Sequence, residues 1–158
     1  MIERVGGGLS ALLVLIAATA GPAPAGDLVA LSEDGTELLR QPVPEGAGWC
    51  VLWHHSVKGF EVSDCYENRS GRMVLVRSHL PDFAAGLDHI PGRGRQVSDG
   101  RGGYWILDID EPVPGNGYIL RPGRGNVDHR IAVGDRVVSL SEAAPRERVR
   151  IELTEEGG

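Results

Sequence analysis

The sequence predicts an all-β domain: a single antiparallel β-sandwich or partly open barrel of about ten short strands with one long loop. Two observations lead there. Short runs of β-branched, aromatic and other apolar residues, several with alternating polarity, recur along the chain. Glycine (23) and proline (10) are abundant among the 158 residues, a load suited to short strands joined by many turns and poorly suited to helices.

The N-terminus is read first. Arg4 precedes an apolar run from Leu9 to Ala20, interrupted only by Ser10 and Thr19, and Ala23-Pro24-Ala25 follows. These are the charged, apolar and small-residue regions of a secretory signal peptide, with cleavage expected after Ala25. The run falls short of the about 20 apolar residues that span a hydrocarbon core, so residues 1–25 read as a removed leader. The alternative is an uncleaved tether, because Glu3 stands beside Arg4. Residues 26–158 are then one exported domain, periplasmic or extracellular, with no integral membrane segment after cleavage. The formal net charge of −6 argues against general binding to nucleic acid or anionic lipid.

Leu28 to Ser32 and Thr36 to Arg40 flank Glu33-Asp34-Gly35, whose Asp-Gly pair marks a hairpin turn. A Pro/Gly-rich loop from Gln41 to Gly48 follows. Trp49 to Ser56 and Phe60 to Glu67 read as a second hairpin, and Met73 to His79 resumes an extended run after Asn68-Arg69-Ser70-Gly71. From Leu80 to Gly103 the pattern disappears into the long loop, where binding sites often lie. Its arginine- and glycine-rich part, Gly92 to Gly103, is read as a flexible loop and not an RNA-binding tract, given the acidic charge. Strands return at Tyr104 to Ile109, Tyr118 to Arg121, His129 to Val133, Arg136 to Leu140 and Arg148 to Leu153. Only Asp82 to Asp88 and Ser141 to Pro145 suit a helical turn or two.

The second hairpin fixes a register. With its turn centred between Val57 and Lys58, Cys50 faces Cys65, and an oxidising compartment would let the two pair as a disulfide; the alternative is two buried free thiols. The same register puts Trp49, Val51, Trp53 and His55 on one face with Phe60, Val62, Asp64 and Tyr66, while His54 faces Glu61 on the other as a solvated charge pair.

Candidate chemistry is sparse. The five histidines His54, His55, His79, His89 and His129, with Asp82, Asp88 and Asp99, lack the spacing of a metal site, and no cofactor motif is present. Ser56, His129 and Asp99 could be assembled as nucleophile, base and orienter, but no nucleophile elbow holds the serine, so the sequence points away from an enzyme.

The ordered motifs Trp53-His54-His55-Ser56-Val57, Phe83-Ala84-Ala85-Gly86-Leu87, Asp99-Gly100 and Asp128-His129-Arg130 resemble the bacterial family DUF1850, over roughly Gly46 to Leu153. Matching positions are His55, Ser56, Val57, Phe83, Ala85, Gly86, Leu87, Asp99, Gly100 and His129. Ala84 and Asp88 depart from the family's usual Gly and Pro, and Lys58-Gly59-Phe60-Glu61 from its usual acidic residue and proline. The resemblance implies an exported accessory to a TAXI-type TRAP transporter for organic acids, touching its solute-binding protein or membrane component. The alternative is a small extracytoplasmic ligand- or metal-binding domain or, further off, a hydrolase. His55, Ser56, Gly86, Asp99 and His129 are the expected ligand- or partner-binding surface, with His55 and His129 meeting at the base of the long loop.

Overall fold

The computed structural model describes residues 25–81 and 91–155. Twelve strands form in chain order: β1 (Ala25–Leu31), β2 (Glu37–Pro44), β3 (Gly48–His54), β4 (Glu61–Arg69), β5 (Arg72–Leu80), β6 (Arg95–Ser98), β7 (Tyr104–Leu107), β8 (Glu111–Pro112), β9 (Gly117–Leu120), β10 (Arg130–Val133), β11 (Arg136–Ser139) and β12 (Val149–Glu155). A short helix, α1 (Leu140–Ala143), falls within the Ser141 to Pro145 region expected from sequence plus one residue before it, and a 3-10 turn not expected from sequence lies at Pro114–Asn116. Helix α1 starts on Ser139, whose hydroxyl accepts from the Glu142 amide.

The strands make two antiparallel sheets. The smaller runs β2-β1-β12-β9; the larger runs β11-β10-β3-β4-β5-β7-β6, with β8 pairing the first half of β5. The sheets pack as a sandwich, not a barrel. Leu28, Ala30, Leu39, Val43, Ile151 and Leu153 of the smaller sheet share one buried cluster with Trp49, Val51, Met73, Ile131 and Val133 of the larger. A second cluster of Val62, Leu75, Leu80, Tyr104, Ile106 and Ile109 continues along the larger sheet. Period-2 burial places these residues: in β12, Val149, Ile151 and Leu153 are buried while Arg150 is exposed.

The β3–β4 hairpin has the expected register throughout, from Gly48 opposite Glu67 to His54 opposite Glu61. Cys50 and Cys65 face each other and are joined as a disulfide, their Cα atoms 4.0 Å apart. The first hairpin also turns where expected: Gly35 adopts φ +86°, and the Asp34 carboxylate accepts from the Ser32 hydroxyl and the Thr36 amide. These bonds hold the Asp34 carboxyl down at about 2.

Two strands lie where a loop was expected. β2 continues through Pro42 and Pro44, inside the Gln41 to Gly48 segment, because it is an edge strand and an edge residue needs no amide on its open side. β6 forms inside the Leu80 to Gly103 segment as the short edge of the larger sheet, against β7. The helical turn expected at Asp82 to Asp88 lies outside the described residues.

Candidate functional site

One end of the larger sheet gathers stretches that are far apart in sequence. Trp53 pairs with Val62, Ser63 with His79, Leu80 with Tyr104, and Tyr104 with Ser98, while Arg130 pairs with Leu52. Beyond those pairs, at the same end, lie the His55-Ser56-Val57 turn, the start of the segment after Leu80, the Asp99-Gly100 turn and Asp128-His129.

His55 holds its turn together. Its backbone bonds Phe60 and Gly59, and its Nδ1 accepts from the amides of Val57 at 3.3 Å and Lys58 at 3.2 Å. Nδ1 is therefore unprotonated and serves as the acceptor. The ring packs on Phe60, with centroids 5.1 Å apart. Gly59 closes the loop at φ +73°, and Ser56, Val57 and Lys58 stand in solvent, Val57 at 83% exposure.

His129 ends a loop folded over β3. The His54 amide donates to the Val127 carbonyl, and Gly123 lies so close to Val127 that a Cβ there would fall 2.6 Å from that side chain. The His129 Nδ1 accepts from the Gly123 amide at 3.0 Å, its own amide donates to the Ser141 hydroxyl, and its ring stacks on Trp53 at 6.0 Å. Burial holds this imidazole below its ordinary value, with the Asp128 charge pulling the other way. Next in the chain, Arg130 pairs with Asp128 and with Glu61. Glu61 thus has a guanidinium as its ion-pair partner, although His54 stands opposite it as expected.

Asp99 organises the turn between β6 and β7. Its Oδ1 accepts from the amides of Arg101 at 2.7 Å and Gly103 at 3.0 Å, and its Oδ2 lies 2.9 Å from Nε2 of His79. A carboxylate only accepts, so Nε2 carries a proton. The His79 bond first, then the two amides, hold the Asp99 carboxyl below its ordinary value, against the opposing effect of burial. Gly103 has no room for a side chain: a Cβ would come within 2.4 Å of Pro81.

A bulge makes the His79–Asp99 contact possible. The β4–β5 register shifts between Cys65 and Tyr66, leaving Val76 unpaired opposite them. Upstream of it Leu75 is buried; downstream Ser78 and Leu80 are buried while Arg77 and His79 turn to the outer face. Were Val76 paired in regular alternation instead of bulged out, these four would exchange faces. On the outer face His79 stacks on Trp105 at 4.3 Å, with the Arg77 guanidinium 5.6 Å from the same indole. Glu61, His79, Pro81, Asp99, Arg101 and Trp105 line a cavity of about 360 Å³.

With this geometry in place, the chain can be compared with known proteins. The profile of the family described as Domain of unknown function (DUF1850) matches residues 50–140, more than half of the chain. The chain belongs to the DUF1850 family. No curated protein and no solved structure matches it significantly. The DUF1850 match begins in β3 and ends at the first residue of α1. It therefore takes in the larger sheet, but for the first two residues of β3, together with β9. Strands β1, β2 and β12 of the smaller sheet lie outside it.

The expected surface residues of this DUF1850 domain fall out as follows. His55, Ser56, Asp99 and His129 all lie at the one end; His55 comes two residues after Trp53, just past the end of β3, and His129 stacks on the Trp53 ring. Gly86 lies outside the described residues. Asp99 bonds His79, and no hydrogen bond joins Asp99, His129 or Ser56 to one another among the described residues. His79, Arg101, Glu61 and Trp105 complete the cavity without having been singled out as site residues. Their neighbourhood depends on β7 lying between β5 and β6 and on the β5 bulge, which no local pattern announces. No group of three or more His, Cys, Asp or Glu side chains among the described residues could hold a metal ion. Nor is any helix among them long and apolar enough to cross a membrane.

Proposed function

We propose that this DUF1850 domain is an exported, non-catalytic binding module, an accessory to a TAXI-type TRAP transporter. It meets the solute-binding protein or the membrane component with the surface that carries His55, Ser56, Asp99 and His129, and the resemblance adds Gly86 to that set. The observation behind this reading is the gathering of three separate motif stretches at one end of the larger sheet, with Val57 held out in solvent by the His55 turn. A binding role is favoured over catalysis because two of the three groups that could have formed a nucleophilic trio, Asp99 and His129, are spent on separate local partners. Export, with residues 1–25 as the leader, agrees with the Cys50–Cys65 bridge, since such bonds persist in oxidising compartments.

The test is a binding measurement between the purified chain from Gly26 onward and the TAXI-type solute-binding protein and membrane component of the same organism. Association with one of them, weakened at least tenfold by Val57→Asp, is the expected result. No association with either, with or without solute, would overturn the reading. A second reading, a small-ligand domain, is favoured by the cavity between Asp99 and Trp105.

A further inference from the structure

We infer that the cavity beside Trp105 is a binding site for a small organic acid, taken as its carboxylate by Arg101 with its body against the indole. This rests on the small-ligand reading and gives it a chemical class; it needs no transporter partner. The argument comes from which hydrogen-bonding groups around the cavity are already used.

Among the described residues two carboxylates line it, and both have partners. Glu61 pairs with Arg130, and Asp99 accepts from His79 and from two turn amides. A cationic ligand would have to compete with those partners. The donors are the groups left over. Arg101 lends its backbone amide to Asp99, but its guanidinium has no hydrogen bond or ion pair among the described residues. A planar guanidinium offers a fork of N–H groups that matches a carboxylate. The third component is apolar: Trp105 supplies an aromatic wall, backed by His79 and Arg77, with Pro81 nearby. An unpaired cation lining the same cavity as an aromatic surface, with one neighbouring carboxylate paired to Arg130 and the other saturated by hydrogen bonds, suits a ligand that is anionic at one end and flat or apolar at the other. The volume of about 360 Å³ lies at the small end of ligand sites, which limits the ligand to a compact acid.

The site is also held rigidly. Asp99 fixes both the turn that carries Arg101 and the ring of His79, which stacks on Trp105.

The experiment is an NMR titration of the chain from Gly26 onward with benzoate, with benzylamine as the cationic counterpart of the same shape and succinate as a carboxylate without an aromatic body. Benzoate should shift the Trp105 indole and Arg101 amide resonances saturably. Arg101→Gln, at an exposed turn position, should weaken that binding at least tenfold and leave the remaining spectrum unchanged. Trp105→Leu should weaken benzoate more than succinate. If benzylamine binds there and benzoate does not, or if Arg101→Gln leaves benzoate binding intact, the carboxylate assignment is wrong while the small-ligand reading survives. If none of the three probes perturbs Trp105, both fall.

Discussion

His79 of β5 and Asp99 of the β6–β7 turn, 20 residues apart in sequence, meet at 2.9 Å through Nε2 and Oδ2. This bond is the largest reason that the Asp99 carboxyl sits below its ordinary value. A carboxyl whose folded value is depressed contributes stability above its unfolded value and loses it as pH falls through the folded one. His79→Ala should therefore move the Asp99 titration upward, and carbon-detected NMR of the carboxyl follows it directly. An unchanged Asp99 titration in the variant would mean that the two turn amides alone set it.

The disulfide gives a second prediction. Cys50 and Cys65 enclose a loop of sequence separation 15. In the chain-entropy account a bridge of that loop size contributes about 3 kcal/mol by restricting the unfolded chain. The double variant Cys50→Ser, Cys65→Ser should lose about that much in urea denaturation, and thiol labelling of the denatured, unreduced protein should find no free cysteine. Two reactive thiols would contradict the bridge.

His55 should behave as a turn residue. Its Nδ1 accepts from two amides, and His55→Ala removes that acceptor and the contact with Phe60. Because the turn is exposed, water replaces part of the loss, and the cost should be about 1 kcal/mol. His55→Asn places an oxygen near the position of Nδ1 and should recover most of it, whereas His55→Gln should not. Thermal denaturation of the three variants checks the order; equal losses in all three would assign the effect to the ring alone.

How much of this was legible follows from which interactions are local. The β3–β4 pairing could be read because two period-2 runs joined by a short turn leave little freedom, and a single assumption about the turn centre put Cys50 opposite Cys65. Pro42 and Pro44 misled because proline argues against a strand only when the strand is interior, and the edge position of β2 is a fact of topology. β6 was hidden by its neighbours: four residues between glycines carry little pattern, and they become a strand because β7 offers a partner. Asp99 and His129 were singled out through motif resemblance, but the partner of Asp99 was not. His79 reaches it only because the unpaired Val76 turns the rest of β5 over, and the β4 and β5 sequences look regular across that point.

Asp64 supplies the last prediction. It lies on the inner face of β4 opposite Val51, where alternation calls for an apolar residue, and its Oδ1 accepts from the buried Ser78 hydroxyl at 2.5 Å. Burial raises this carboxyl above its ordinary value, and the Ser78 bond and the Arg93 charge only partly offset that. An acid with a raised folded value holds its proton more tightly in the folded chain than in the unfolded one. Its favourable contribution is then complete below the unfolded value and is lost as pH rises through the folded value. Asp64→Asn keeps an oxygen for Ser78 but cannot ionise. In urea denaturation the variant and the parent should be of similar stability near pH 3, and the variant should become the more stable as pH rises towards 8. A variant less stable than the parent at pH 8 would show the reverse, that the ionised carboxylate is stabilised by Arg93 and Ser78 beyond the cost of burying it.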